Sequence, residues 1–286
     1  MNLPVVPGHE ASGRVVAVGP EVVGLAVGDH VATMHRDSCG ACERCEEGEE
    51  TLCMHAAHVF GLLADGGYAT HVLAPERGFY RVPDAMAPEL AAVLHSTFGT
   101  AYRALHRFGP IGPSSTVLVT GANGGVGLAA VQIAKRRGAH VTAIVRREGA
   151  AASVREAGAD EVVVDDGSTF HKKLPEGAVD VTLDLVGAPT FNSALRSTRL
   201  GGGLAVVGNI VDAKVELNLG FVCVNDIRIC GSTGASRRDM AGCIALHEAS
   251  PFVLRVADRV PLAAADDAQR RLREGGVDGR IVLIPR

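Results

Sequence analysis

The sequence predicts an α/β chain in which a doubly wound parallel sheet is joined to a mainly β region. Three observations carry this expectation. The apolar runs STVLVTG, HVTAIV, DEVVVD, VDVTLDLVG and GGLAVVGN recur at the spacing of strand–helix–strand crossovers, and buried parallel strands read as such runs. The first of them opens into a glycine-rich turn and then a helical pattern in which Val126, Ala130, Ile133 and Ala134 share one face. The first ninety residues lack that rhythm: GRVVAVG, GDHVA and GGYATHVLAP read as brief strands punctuated by glycine. The last fifty return to a helix, LAAADDAQRRLREG, and a final strand, RIVLIP.

With 286 residues, 47% of them hydrophobic, the chain can bury a large core. A formal charge of −4 and a pI near 6.3 argue against nucleic acid or anionic lipid as partners, since both require concentrated positive charge. The opening MNLPVVPGHE carries no basic segment followed by an apolar stretch, and no apolar run reaches the ~20 residues that span a bilayer. A soluble, cytoplasmic protein is the expectation. Of seven cysteines, four fall between positions 39 and 53. The other three, Cys223, Cys230 and Cys243, lie among apolar neighbours and read as small buried thiols.

Between the first crossover strand and its helix lies Thr120-Gly121-Ala122-Asn123-Gly124-Gly125-Val126-Gly127. Small residues there let the backbone approach a pyrophosphate, and the helix start offers free N–H groups and a positive dipole end. The core reads A-x-G-x-x-G, with Ala122 where the first glycine is expected, so the segment predicts a Rossmann dinucleotide site. The second strand of such a domain ends in an acid when the ribose is that of NAD. Here it ends in Arg146 and Arg147, whose guanidiniums suit a 2′-phosphate, so NADP(H) is expected over NAD(H).

Cys39, Cys42, Cys45 and Cys53 are spaced so that one loop can wrap a tetrahedral ion. Four thiolates leave no position open for substrate, which makes a zinc there structural. An iron–sulfur cluster is the competing reading, but ferredoxin-type runs are spaced differently.

Gly8-His9-Glu10, GRVVAVG, the GDHV turn, the four-cysteine lobe, DGGYATHVLAP, GTAYRAL and GANGGVGLAAVQIAK together resemble the zinc-type medium-chain dehydrogenase/reductase family, nearly from end to end. The stretch VVGNIVDAKVELNLGFVCVNDIRICGSTGASRRD is particularly similar to its acryloyl-CoA reductase and alcohol dehydrogenase-like branch. The resemblance implies a GroES-like catalytic domain, 1–96 with 235–286, a Rossmann domain, 97–234, a small-molecule substrate in the cleft between them, and homo-oligomers. It implies that Thr100 lies near the nicotinamide, although a helix-capping hydroxyl is an equal reading, and that Val207 and Gly208 border the cofactor. It makes His9 a ligand of a catalytic zinc and Glu10 a neighbouring or alternate one. The family's first cysteine ligand and its proton-relaying hydroxyl precede GHE, in a part this sequence does not contain. Its third ligand is a cysteine six places before the tyrosine of TAY, where this sequence has Ser96, with His95 beside it. Serine is a poor zinc ligand, and His95 serves only if the backbone turns it inward. This donor count tilts the expected chemistry from zinc-dependent alcohol oxidation toward reduction of a conjugated C=C bond. A dinucleotide-binding paralogue without activity is the third reading.

Overall fold

The computed structural model describes residues 3–285 except 57, 212 and 278. The chain divides into two compact units, Met1–Gly99 with Gly234–Ala245 and Val253–Arg286, and Thr100–Thr233 with Leu246–Phe252.

The first unit opens with an antiparallel sheet ordered β1-β2-β3, formed by β1 (Ser12–Arg14), β2 (His30–Thr33) and β3 (Phe79–Arg81). β2 is its buried centre, with Ala32 opposite both Ser12 and Tyr80. A short helix, α1 (Glu43–Glu46), lies in the cysteine loop. Pro88, whose missing N–H is harmless in a first turn, starts α2 (Pro88–Val93), and a wide π-helical turn, Leu94–Gly99, follows.

The second unit holds a parallel six-stranded sheet. Its elements are α3 (Thr100–Leu105), β4 (Thr116–Val119), α4 (Gly125–Arg136), β5 (His140–Val145), α5 (Ala151–Glu156), β6 (Glu161–Val164), β7 (Val179–Asp184), α6 (Phe191–Ser197), β8 (Thr198–Val206), α7 (Leu219–Val224) and β9 (Arg228–Gly231). The strand order is β6-β5-β4-β7-β8-β9, so the winding reverses between β4 and β7. Open α/β sheets take up ligands beyond the carboxyl ends of the strands at such a reversal. Leu118, Ile144, Phe170, Phe191 and Leu204 pack in one core cluster, which is why these strands read as continuous apolar runs. On α4, Ala130, Ile133 and Ala134 are buried as their spacing predicts, while Val126 is half-buried. Beyond α8 (Arg237–Ala249), the first unit is completed by β10 (Val256–Pro261), α9 (Ala265–Glu274) and β11 (Arg280–Ile284), with β10 and β11 paired in parallel.

Three expectations are corrected. Only Gly13 and Arg14 of GRVVAVG belong to a strand, and Val16 and Val18 are exposed. GGYATHVLAP forms no strand, because Gly66, Gly67 and Tyr68 donate to the carbonyls of Val6, Gly8 and Pro7 without a continuing ladder. A period-2 pattern needs a partner strand before it becomes a sheet. Cys223 is exposed, since α7 buries none of its residues, and Cys230 is half-buried, whereas Cys243 is buried. Among the described residues no helix is long and apolar enough to cross a membrane.

Candidate functional site

The four cysteines of the 39–53 loop converge, with all their Sγ atoms within 4.8 Å of one another. Cys42 immediately precedes α1 and Cys45 lies three residues on, which brings their sulfurs to 3.5 Å. A single 3-10 turn, Glu50–Leu52, then returns the chain so that Cys53 Sγ accepts from the Cys39 N–H at 3.3 Å. The thiols are electrostatically unequal. The Ala41 backbone N–H leads in lowering Cys39 to about 6, and burial leads in pushing Cys45 up to about 12. Four crowded thiols cannot all ionise beside one another without a cation, and a tetrahedral dication is what this donor set fits.

The GHE segment is set by contacts far away in sequence. Gly8 adopts φ +99°, and a Cβ there would lie 2.5 Å from Tyr68 Cδ1, so only glycine fits before His9. The His9 carbonyl accepts from Thr33 Oγ1 at 2.7 Å, and the His9 ring lies 4.5 Å from that of His35, centroid to centroid. Burial, followed by the neighbouring His9 and Arg36, holds His35 below the ordinary histidine range. Glu10 is fully engaged. Its Oε1 accepts from Ser96 Oγ and, at 3.2 Å, from Thr97 Oγ1, while Oε2 accepts from Arg280 Nη1 at 3.0 Å. Arg280 also donates to Thr97 Oγ1, which closes the network.

His95 faces elsewhere. Its Nδ1 accepts from the His35 N–H at 3.2 Å and its Nε2 donates to the Ala235 carbonyl at 3.0 Å, which assigns the tautomer. Burial lowers its pKa to about 4 and keeps the ring neutral. The turn that carries Ser96 therefore offers no second nitrogen. Of the expected donors for a catalytic ion, Ser96 gives its hydroxyl to Glu10, Glu10 is paired with Arg280, and both nitrogens of His95 are hydrogen-bonded. Thr100 lies within an unbroken helical run, 88–105, and is nearly buried, so it caps no helix start.

In the loop at 121–127, Asn123, Gly124 and Gly125 are exposed, whereas Ala122 and Gly127 are buried. A Cβ on Gly127 would stand 2.5 Å from the Gly121 carbonyl oxygen and 2.6 Å from Ala122 Cα, so this close backbone approach requires glycine. The first-turn N–H groups of α4 have no preceding helical carbonyl to donate to, and the helix begins at an exposed N-cap, Gly124, with no side-chain cap. That geometry fits a pyrophosphate. Arg146 and Arg147 follow β5 directly and are exposed. Val207 and Gly208 follow β8 and are half-buried, and both donate to the Asp184 carbonyl. Sequence reasoning missed Thr97, Arg280 and Asp184. An acid inside the apolar run VDVTLDLVG was a readable signal for Asp184. Arg280 gave none, because its partner Glu10 lies 270 positions away.

The model of the zinc-binding dehydrogenase family matches residues 125–249, and that of the alcohol dehydrogenase GroES-like domain matches residues 1–84. The chain is 34% identical to an acryloyl-coenzyme A reductase of Metallosphaera sedula over 99% of its own length and 84% of the relative's. It is 33% identical to an alcohol dehydrogenase of Geobacillus stearothermophilus, covering 99% of this chain and 83% of that one. Among solved structures it is similar to AibC, with a TM-score of 0.94 and 39% identity over 100% of this chain and 81% of the other. An NAD-dependent alcohol dehydrogenase superimposes with a TM-score of 0.89 and 35% identity, covering 99% and 83%.

Proposed function

This chain belongs to the zinc-type medium-chain dehydrogenase/reductase family, and from that premise we propose that it is an NADP(H)-dependent reductase of an activated C=C bond, of the enoyl-coenzyme A kind. The observation that carries the proposal is the Glu10–Ser96–Thr97–Arg280 network, which engages in hydrogen bonding two of the positions, Glu10 and Ser96, where zinc ligands are expected.

The dinucleotide, when bound, supplies the hydride. The tasks of the chain are binding, orientation and polarisation. Gly121, Ala122, Asn123, Gly124, Gly125, Val126 and Gly127 hold the pyrophosphate. Arg146 and Arg147 pair with the 2′-phosphate. Val207 and Gly208 border the nicotinamide, and we assign Thr100 to the same end of the cofactor. Reduction of a conjugated alkene places developing charge on the carbonyl oxygen, which hydrogen-bond donors can stabilise without a metal. His9, free of a closed ligand set, is our candidate donor. The Cys39–Cys42–Cys45–Cys53 lobe holds a structural zinc. The similarity to proteins named acryloyl-coenzyme A reductase supports the same substrate class. A cytoplasmic location and a homo-oligomeric state belong to this reading.

The alternative is a zinc-dependent alcohol dehydrogenase, favoured by the alcohol dehydrogenase relatives at equal identity. One experiment separates the two: zinc per chain after dialysis, measured together with NADPH oxidation against aldehydes, enones and enoyl-coenzyme A thioesters. The proposal expects about one zinc, as a closed four-thiolate site binds it, with turnover confined to enones and thioesters. Two retained zincs with efficient oxidation of simple alcohols would overturn it.

A further inference from the structure

At the reversal point of the six-stranded sheet one carboxylate ties three segments together. Asp184 ends β7 and is fully buried. Its Oδ1 accepts from Thr120 Oγ1 at 2.7 Å, Thr190 Oγ1 at 2.6 Å and the N–H groups of Val186 and Gly187, both at 3.2 Å. Thr120, the residue after β4, in turn accepts from the Leu185 N–H at 3.0 Å. The Asp184 carbonyl accepts from Val207 N at 2.9 Å and Gly208 N at 3.3 Å. The side chain and backbone of one residue thus hold the start of the Gly121–Gly127 loop, the loop between β7 and α6, and the end of β8.

Stability alone is a weak reason for an acid here. A buried carboxylate carries a desolvation cost that an aliphatic side chain avoids, and buried charges are often neutral or worse for folding than a hydrophobic replacement. An aliphatic residue, however, cannot accept from donors on two different loops. The segments being joined also have no slack, since a Cβ on Gly208 would run into the Leu185 carbonyl. We propose that Asp184 is a positioning residue that, through Thr120, sets the spacing between the pyrophosphate loop and the Val207–Gly208 edge, and so tunes dinucleotide affinity without touching the dinucleotide. This rests on the reading above that the 121–127 loop holds the cofactor.

The four donors all converge on Oδ1, while Oδ2 meets no hydrogen-bond donor among the described residues. An asparagine carbonyl can therefore take over the role of Oδ1, and leucine cannot. A second pair of variants separates positioning from bulk stability. Thr182 lies on the same strand as Asp184, is equally buried, and has its hydroxyl 3.0 Å from Oγ1 of Thr198, the first residue of β8, away from the carboxyl ends of the strands. Thr120→Val and Thr182→Val thus remove the same chemical group from the same sheet.

The test is NADPH and NADH binding by calorimetry to the zinc-loaded full chain, alongside thermal unfolding. Thr120→Val removes both hydrogen bonds of the hydroxyl and should weaken NADPH about three- to tenfold, the scale of buried hydrogen bonds, while Thr182→Val changes stability and leaves affinity within about twofold, inside ordinary variation at an uninvolved site. Asp184→Asn should bind NADPH within about threefold of the unmodified chain, and Asp184→Leu should lose roughly tenfold or more. Equal affinities for Thr120→Val and Thr182→Val, or equal damage from Asn and Leu at 184, would overturn the assignment and leave the cofactor reading intact. An unmodified chain that binds neither nucleotide would remove both.

Discussion

The cysteine lobe and the six-stranded sheet place their functional groups by different physics. In the lobe, α1 buries no residue, Cys53 alone of the four cysteines is buried, and the four sulfurs share a 4.8 Å cluster. In the sheet, the loop at 121–127 hangs from strands whose Leu118, Val119, Leu183 and Leu204 are fully buried. A site on a packed core is preformed, whereas a site made of its own ligands takes its order from what it binds. Loss of metal and loss of nucleotide geometry should therefore be separable events in one chain.

The largest expected effect is on the lobe. Cys42→Ser, or exhaustive chelation, should abolish tight zinc binding and lower the melting temperature of the first unit by roughly 10 °C or more, because structural zinc carries several kcal/mol of folding energy. Hydrogen exchange should show residues 39–53 losing protection while β4 to β9 keep theirs. Full zinc occupancy in the variant, or iron in place of zinc, would break the comparison at its first term.

Next comes the converse change. Gly127→Ala drives a methyl group into the Gly121 carbonyl and Ala122 Cα; overpacking of that kind costs about 1–3 kcal/mol. Dinucleotide affinity should fall roughly tenfold, which corresponds to ~1.4 kcal/mol, and metal content should not move. Zinc loss in this variant would show that the two regions are coupled after all.

The smallest effect sharpens specificity rather than order. Arg146→Asp with Arg147→Ser touches two exposed side chains after β5, so stability should change by less than about 0.5 kcal/mol. NADPH should weaken by about tenfold through lost charge-assisted bonds, with NADH nearly unaffected. Tighter binding of NADH than NADPH to the unmodified protein would reverse the cofactor preference proposed here.

What the sequence determined by itself was whatever local spacing encodes. The parallel strands were legible because burial on both faces writes an unbroken apolar run, and α4 because its buried positions repeat every three to four residues. The cysteine lobe was legible because all four cysteines fall in one loop, and the glycine-rich turn at 121–127 because glycine must occupy a position that a Cβ would block. Tertiary structure alone decided the rest. Whether GRVVAVG becomes strand depends on whether another strand lies beside it, which no pattern within the segment records. Whether Glu10 is a free donor depends on Arg280 and Thr97, and whether His95 is available depends on Ala235. The Asp184 hub exists only because winding brings the ends of β4, β7 and β8 side by side. Hydrogen bonds are short and directional, so the chemistry of these groups is fixed by neighbours that the chain delivers from dozens to hundreds of positions away.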